Sequence, residues 1–172
     1  MADKGGYSLM NVCTGDEVMP DQPTPGLEFL MSISAELGEL VTMGPAPLGE
    51  RRVVYITGGT FAGPRLRGEV VGGADWQILR RDGAIELDAR YALKDARGGL
   101  VQVVSQGLRH GPPEVLARLA RGEEVDPASY VFRTFMRFET GAAELAFLNT
   151  TLAVATAQRK ARRVELACFA VL

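Results

Sequence analysis

The stretch Ala74–Leu93, ADWQILRRDGAIELDARYAL, decides the fold. Asp82-Gly83 at its centre is the strongest hairpin signal in the chain. A tight turn between antiparallel strands favours a residue at positive φ, which glycine adopts without steric cost. The residues on either side alternate. Asp75 and Gln77 oppose Trp76 and Ile78, while Ile85, Leu87, Ala89, Tyr91 and Leu93 oppose Glu86, Asp88 and Arg90. A period of two is that of a strand, whose successive side chains point to opposite faces. Two antiparallel strands therefore meet at this turn.

The same pattern extends in both directions. Leu27, Phe29, Met31 and Ile33 share one parity before Gly38, Gly44-Pro45 and Pro47 interrupt the run. Arg51–Thr57 (RRVVYIT) is rich in β-branched and aromatic residues and ends at Gly58-Gly59. Arg65–Val71 and Ala74–Arg80 read as two strands joined by a tight turn at Gly72-Gly73, and Gly98-Gly99 leads into Leu100–Gly107. Further strands are expected at Tyr130–Thr140, Leu145–Ala157 and Arg163–Val171. One segment, residues 113–121, reads as helix. Pro112 and Pro113 suit a first turn, Glu114 suits its positive end, Val115, Leu116 and Leu119 form an apolar face, and Gly122 fits the residue after the cap. The sum is about nine or ten antiparallel strands and one short helix, a number that closes into a barrel or splits into two packed layers rather than staying an open sheet. The closed barrel is the fold expected over the sandwich.

Composition sets the outer bounds. At 172 residues the chain suits one domain, and 47% hydrophobic with 23% charged residues is the balance of a folded globular protein. Residues 1–26, with Gly5, Gly6, Gly15, Pro20, Pro23 and Pro25 and no sustained periodicity, read as a flexible arm ahead of a barrel domain at 27–172. A net charge of −2 and a pI near 5.5 argue against a nucleic-acid partner. The basic cluster Arg159, Lys160, Arg162 and Arg163 reads as a solvated hairpin turn. The amino terminus has no apolar signal core, and no apolar run approaches the roughly 18 residues of a membrane helix. Cytoplasmic location and no membrane partner are the expectations. Two cysteines, Cys13 and Cys168, make no disulfide scaffold, and no Cys/His spacing suggests zinc.

The blocks GERRVVYITGGTFAGPRLRGEVVGGADWQ (Gly49–Gln77), LDARY (Leu87–Tyr91), LRHGPPEVLARLARGEEVDP (Leu108–Pro127), YVFRTFMRFETG (Tyr130–Gly141) and FLN (Phe147–Asn149) resemble the UPF-0311 type family of uncharacterised bacterial proteins. The likeness covers nearly everything after residue 26. It implies a small closed barrel, calycin-like or similar, that forms oligomers, and it imports no mechanism. Tyr55 stands where that pattern has proline, Phe147 where it has tryptophan, and Ser105-Gln106 where it has Asn-Arg.

Strand parity then selects candidate site residues. Asp88 and Arg90 share a face of one strand, as do Arg133, Phe135, Arg137 and Glu139 opposite Phe132, Thr134, Met136 and Phe138. Two readings are open: the polar faces meet solvent, or they line a wet lumen. In the second, Asp88 or Glu139 would exchange a proton with a substrate. Arg90 and Arg137 would hold a carboxylate or enolate oxygen beside Gln77, and Trp76, the only tryptophan, reads as core or as a flat wall for an apolar ligand. His110, the only histidine, precedes Gly111-Pro112 at the helix entrance, as a general base at the barrel mouth or as a structural residue. Placed inward, these polar sets would leave Phe132, Met136 and Phe138 to be covered by a second copy, hence a homodimer. No dinucleotide fingerprint, phosphate loop, GxSxG or HExxH occurs, so no cofactor is expected. The function expected is that of a cofactor-independent isomerase, cyclase or lyase acting on a small organic molecule in the barrel. The alternative is a non-catalytic carrier barrel.

Overall fold

The computed structural model describes residues 23–172. The expected arm at 1–26 lies, up to residue 22, outside the described residues. Eight strands form one closed antiparallel barrel in simple meander order: β1 (Leu27–Ala46), β2 (Gly49–Ala62), β3 (Arg67–Leu79), β4 (Ile85–Asp95), β5 (Leu100–His110), β6 (Val131–Thr140), β7 (Leu152–Arg159) and β8 (Arg163–Val171). Closure comes from β8, which pairs with the first half of β1 from Leu27↔Val171 to Glu36↔Arg163. Helix α1 (Pro113–Ala120) and a 3₁₀ turn (Pro127–Ser129) join β5 to β6, and a second 3₁₀ segment (Ala143–Thr150) joins β6 to β7.

Three local expectations are corrected. Gly72-Gly73 is a bulge inside one continuous strand, with the register against β4 shifting between Val70 and Gly72. Two of the expected strands are therefore one, and the total is eight. Glycine is needed here for close approach: a Cβ on Gly73 would meet the Arg90 carbonyl oxygen and lie 2.6 Å from Tyr91 Cα. Gly73→Ala is expected to cost about 1–3 kcal/mol, the usual range for overpacking, read as a drop in urea midpoint. An unchanged midpoint would show that the bulge relaxes. Next, β1 does not stop at Gly38 but runs through it, with irregular register between Glu36 and Leu40. Finally, the first half of the expected strand Leu145–Ala157 is the 3₁₀ segment, which drives Leu145 and Leu148 fully into the core.

The Asp82-Gly83 turn is as read. Gly83 has φ of 84°, Arg80 N–H donates to the Ala84 carbonyl at 2.9 Å, and Asp82 Oδ1 accepts from Ala84 N–H at 3.1 Å. Helix α1 also forms where its signals lie, with Pro113 in the first turn and Gly122 at φ 77° after the Arg121 cap.

The core is the barrel interior. Ile85, Leu87, Tyr91 and Leu93 of β4 face inward with Phe132, Met136 and Phe138 of β6, all less than a tenth exposed. The interior of an eight-strand barrel is just wide enough for side chains to fill, and burying these apolar rows there removes the most hydrocarbon from water. Phe132, Met136 and Phe138, expected to need a second copy to cover them, are covered within the one barrel.

The two ends differ. At one, Leu145 and Leu148 of the 3₁₀ segment plug the barrel with Leu66, and the Arg65 guanidinium lies 3.7 Å over the ring of Phe147. At the other, α1 lies against the core through Leu119, with Val115 and Leu116 partly buried. That end stays partly open.

Candidate active site

A cavity of about 360 Å³ enters the barrel between α1 and the β3–β4 turn. Its apolar wall includes Val54, Leu87, Phe132 and Val164, and its polar lining is Arg52 of β2, Asp75 and Gln77 of β3, Arg109 of β5 and Arg159 of β7, with Asp82 of the β3–β4 turn at the mouth. A smaller chamber of about 50 Å³ lies next to it, lined by Ala35, Ile56, Leu87, Leu166, Tyr91, Ser105 and Thr134, with Asp75 bordering both spaces.

The polar groups form a chain. Arg52 Nε donates to Gln77 Oε1 at 2.9 Å, Gln77 Nε2 donates to Asp75 Oδ2 at 2.6 Å, and the backbone N–H of Asp88 donates to Asp75 Oδ1 at 3.2 Å. Gln77 thereby relays between a guanidinium and a carboxyl, its amide oriented by both. Burial pushes the Asp75 pKa up from the ordinary carboxylate value, against the opposing pull of Gln77, the Asp88 N–H, Arg109 and Arg52. An acid held this way is closer to exchanging its proton near neutral pH than a surface aspartate.

The arginines are the unusual feature. Burial, then the like charges of Arg52 and Arg159, pushes Arg109 down to about 10, which still leaves it charged at neutral pH. Burial lowers Arg159 and Arg52 as well, with Arg52 adding repulsion on Arg159. Arg109 Nε and Arg159 Nη1 are buried with no hydrogen-bond partner among the described residues, and Arg109 otherwise faces the Phe132 ring at 5.7 Å. Three cations face the Asp75 carboxyl, and the only other acid of the lining, Asp82, is paired with Arg80 at 2.6 Å, so positive charge is in excess in a confined space. A bound anion would relieve it, because hydrogen bonds between ionised partners are the strong ones in a dry site.

Among the residues singled out from sequence, only Gln77 lies in this cavity. Asp88, Arg90, Arg137 and Glu139 lie on the outer face of the barrel, where Arg90 Nε and Asp88 Oδ1 are 3.7 Å apart in a partly exposed pair. Trp76 is 49% exposed on the outer face, and His110 ends β5 exposed, outside the cavity lining. Of the two readings of the polar faces, solvent is the one realised for β4 and β6. The lumen takes one parity of each strand, and the larger apolar set claims it. Arg90→Ala and Arg137→Ala should shift stability by only about half a kcal/mol and leave lumen binding unchanged. A loss of binding in either would put the site back on the outer face.

Sequence reading missed Asp75, Arg52, Arg109 and Arg159. Arg159, expected in a solvated turn, instead closes β7 and lines the cavity. For Arg52 the available signal was a polar residue on an otherwise apolar row, since it shares parity with Val54 and Ile56; Asp75 shares the polar row of its strand with Gln77, opposite Trp76 and Ile78, and carried no such signal. Among the described residues no cluster of His, Cys, Asp or Glu is placed to hold a metal ion, and no helix is long and apolar enough to cross a membrane.

Fold and cavity together define a small closed β-barrel with a cationic, acid-bearing pocket at one end. Residues 25–171 match the family described as Protein of unknown function (DUF3237), and the chain belongs to it. A UPF0311 protein of Bradyrhizobium diazoefficiens is 41% identical over 145 residues, covering 84% of this chain and 95% of that one. The crystal structure of a Rhodopseudomonas palustris protein superposes with a TM-score of 0.82 at 40% identity, covering 88% of this chain and 99% of the other. More distantly, the hydroalkoxylation enzyme phnH of Penicillium herquei is 32% identical over 83 residues, 48% of this chain and 56% of that enzyme. The structure of an enzyme from the same fungus shares the fold at a TM-score of 0.67 and 22% identity, covering 88% of this chain and 98% of the other.

Proposed function

We propose that the barrel binds a small organic anion at Arg52, Arg109 and Arg159, and that Asp75 moves a proton on it in a redox-neutral, cofactor-independent reaction. The observation that carries this reading is the partly buried carboxyl of Asp75 bordering a cavity in which Arg109 and Arg159 hold unpaired N–H groups. The arginines would hold an oxyanion and stabilise negative charge as it develops, the role that preorganised donors serve in acid–base enzymes. Asp75, oriented by Gln77, would then be the proton carrier.

Addition of a hydroxyl across a C=C bond, the reaction for which the Penicillium herquei relative is named, is of this kind. The hydroxyl oxygen bonds to one alkene carbon, its proton passes to a base, and an acid delivers a proton to the other carbon. When hydroxyl and alkene belong to one molecule nothing is gained or lost, and the cyclic product is an isomer of the substrate. A single carboxyl that accepts and then returns a proton suffices, as Asp75 could.

The test uses the purified protein with a panel of alkenyl phenols and aryl carboxylates, following binding by calorimetry and isomerisation by chromatography. Binding of the carboxylates or phenolates that is lost in Arg109→Met, with ring closure of one alkenyl phenol lost in Asp75→Asn, is the expected result. Anion binding without any turnover would favour the carrier reading. No anion binding at millimolar concentration would overturn the proposal.

A further inference from the structure

The inner chamber carries a second set of unanswered polar groups. Tyr91 and Thr134 are each 6% exposed, yet the Tyr91 hydroxyl and Thr134 Oγ1 have no hydrogen-bond partner among the described residues. Leaving a buried hydroxyl unpaired is costly, and neither side chain is needed for packing alone, since phenylalanine and valine have nearly the same shapes. Both line the chamber next to the arginine cavity, and the rest of its wall is mostly aliphatic. Burial pushes the Tyr91 phenol further above its ordinary value, so it stays a neutral donor. No guanidinium lines this space, and at about 50 Å³ it has room for a functional group but not for a ring.

We infer that the ligand has two unlike ends: an anionic oxygen at Arg52, Arg109 and Arg159, and a neutral carbonyl or hydroxyl oxygen held by Tyr91 and Thr134, with a short apolar body between them beside Asp75. This rests on the reading of the outer cavity as an anion site. A doubly charged ligand does not fit, because the inner chamber offers hydroxyls and aliphatic walls where a second anion would need a cation. A purely apolar tail would leave both hydroxyls unanswered. Asp75 borders both spaces, so the carbon frame between the two oxygens is what its proton can reach.

Matched probes separate the two ends. 4-Acetylbenzoate, 4-acetylphenylacetate and 3-(4-acetylphenyl)propanoate span three lengths, and each has an isopropyl counterpart with the same number of heavy atoms but without the carbonyl. Calorimetry on the full chain should show the acetyl acid binding about tenfold more tightly than its counterpart for at least one length. In Tyr91→Phe/Thr134→Val that preference should vanish while the isopropyl acids bind as before. Thr134→Val alone, a smaller change, should halve the preference or more and guards against misfolding of the double variant. A preference absent at every length, or one that survives the double variant, would overturn the inference while leaving the anion site intact. If neutral 4-isopropylacetophenone bound as tightly as the carboxylates, the anion reading would fail and this inference with it.

Discussion

Asp75→Asn should lower turnover by about 10²–10⁴-fold, the usual contribution of a positioned acid or base, while anion binding persists or tightens. The asparagine keeps an oxygen to accept from Gln77 but cannot exchange a proton, and it removes the carboxylate that faces Arg52, Arg109 and Arg159, leaving at the cavity mouth only Asp82, which is paired with Arg80. The same logic sets a pH dependence. The folded-state pKa of Asp75 is raised, so in the wild type the carboxyl gains its proton at a pH above the ordinary value of about 3.9. As pH falls through that raised value the cavity becomes more positive and an anion binds more tightly. The Asp75→Asn variant should show no such rise. Equal turnover in the variant, or a pH profile that the substitution leaves unchanged, would remove Asp75 from the mechanism.

Arg109→Met should pull function and stability in opposite directions. Arg109 is the most strongly perturbed of the three arginines, with a buried Nε unpaired and two like charges nearby. Methionine fills similar volume against Phe132 without a charge to desolvate. Replacing a buried, poorly compensated charge by a packed apolar side chain commonly stabilises by about 1–4 kcal/mol. For a chain of this length each kcal/mol corresponds to about 2–4 °C in Tm. Anion affinity should fall by about 30-fold or more, as expected when a charged hydrogen-bond donor worth at least about 2 kcal/mol is removed. A lower Tm with unchanged affinity would mean that Arg109 is structural. The pairing of gain and loss is the signature of a site whose charge is kept for a ligand rather than for folding.

The strands, the Asp82-Gly83 turn and helix α1 were legible because their causes are local. Alternation, a glycine that must take positive φ and a proline-led first turn are each written within a few residues. Gly72-Gly73 misled for the same reason. A glycine pair looks like a turn in isolation, and only the neighbouring strand reveals that the chain continues past it as a bulge beside Arg90 and Tyr91. The site was harder. Asp75 and Gln77 were placed on one face correctly, but inward and outward are not properties of a single strand.

What the sequence by itself determined, then, is an antiparallel β-domain whose strands each carry two unlike faces, together with the family to which residues 25–171 belong. Which face became the lumen was decided only when β8 closed onto β1. Closure gives every strand one inside, and the inside goes to whichever set of faces buries the most hydrocarbon. In β4 and β6 that set was the apolar one, which sent Asp88, Arg90, Arg137 and Glu139 to water. The same closure brought Arg52, Asp75, Arg109 and Arg159, from four different strands, into one cavity. Their joint charge is a property of that enclosure, since low polarity and short separation make a cationic pocket of residues that would each be ordinary on a surface.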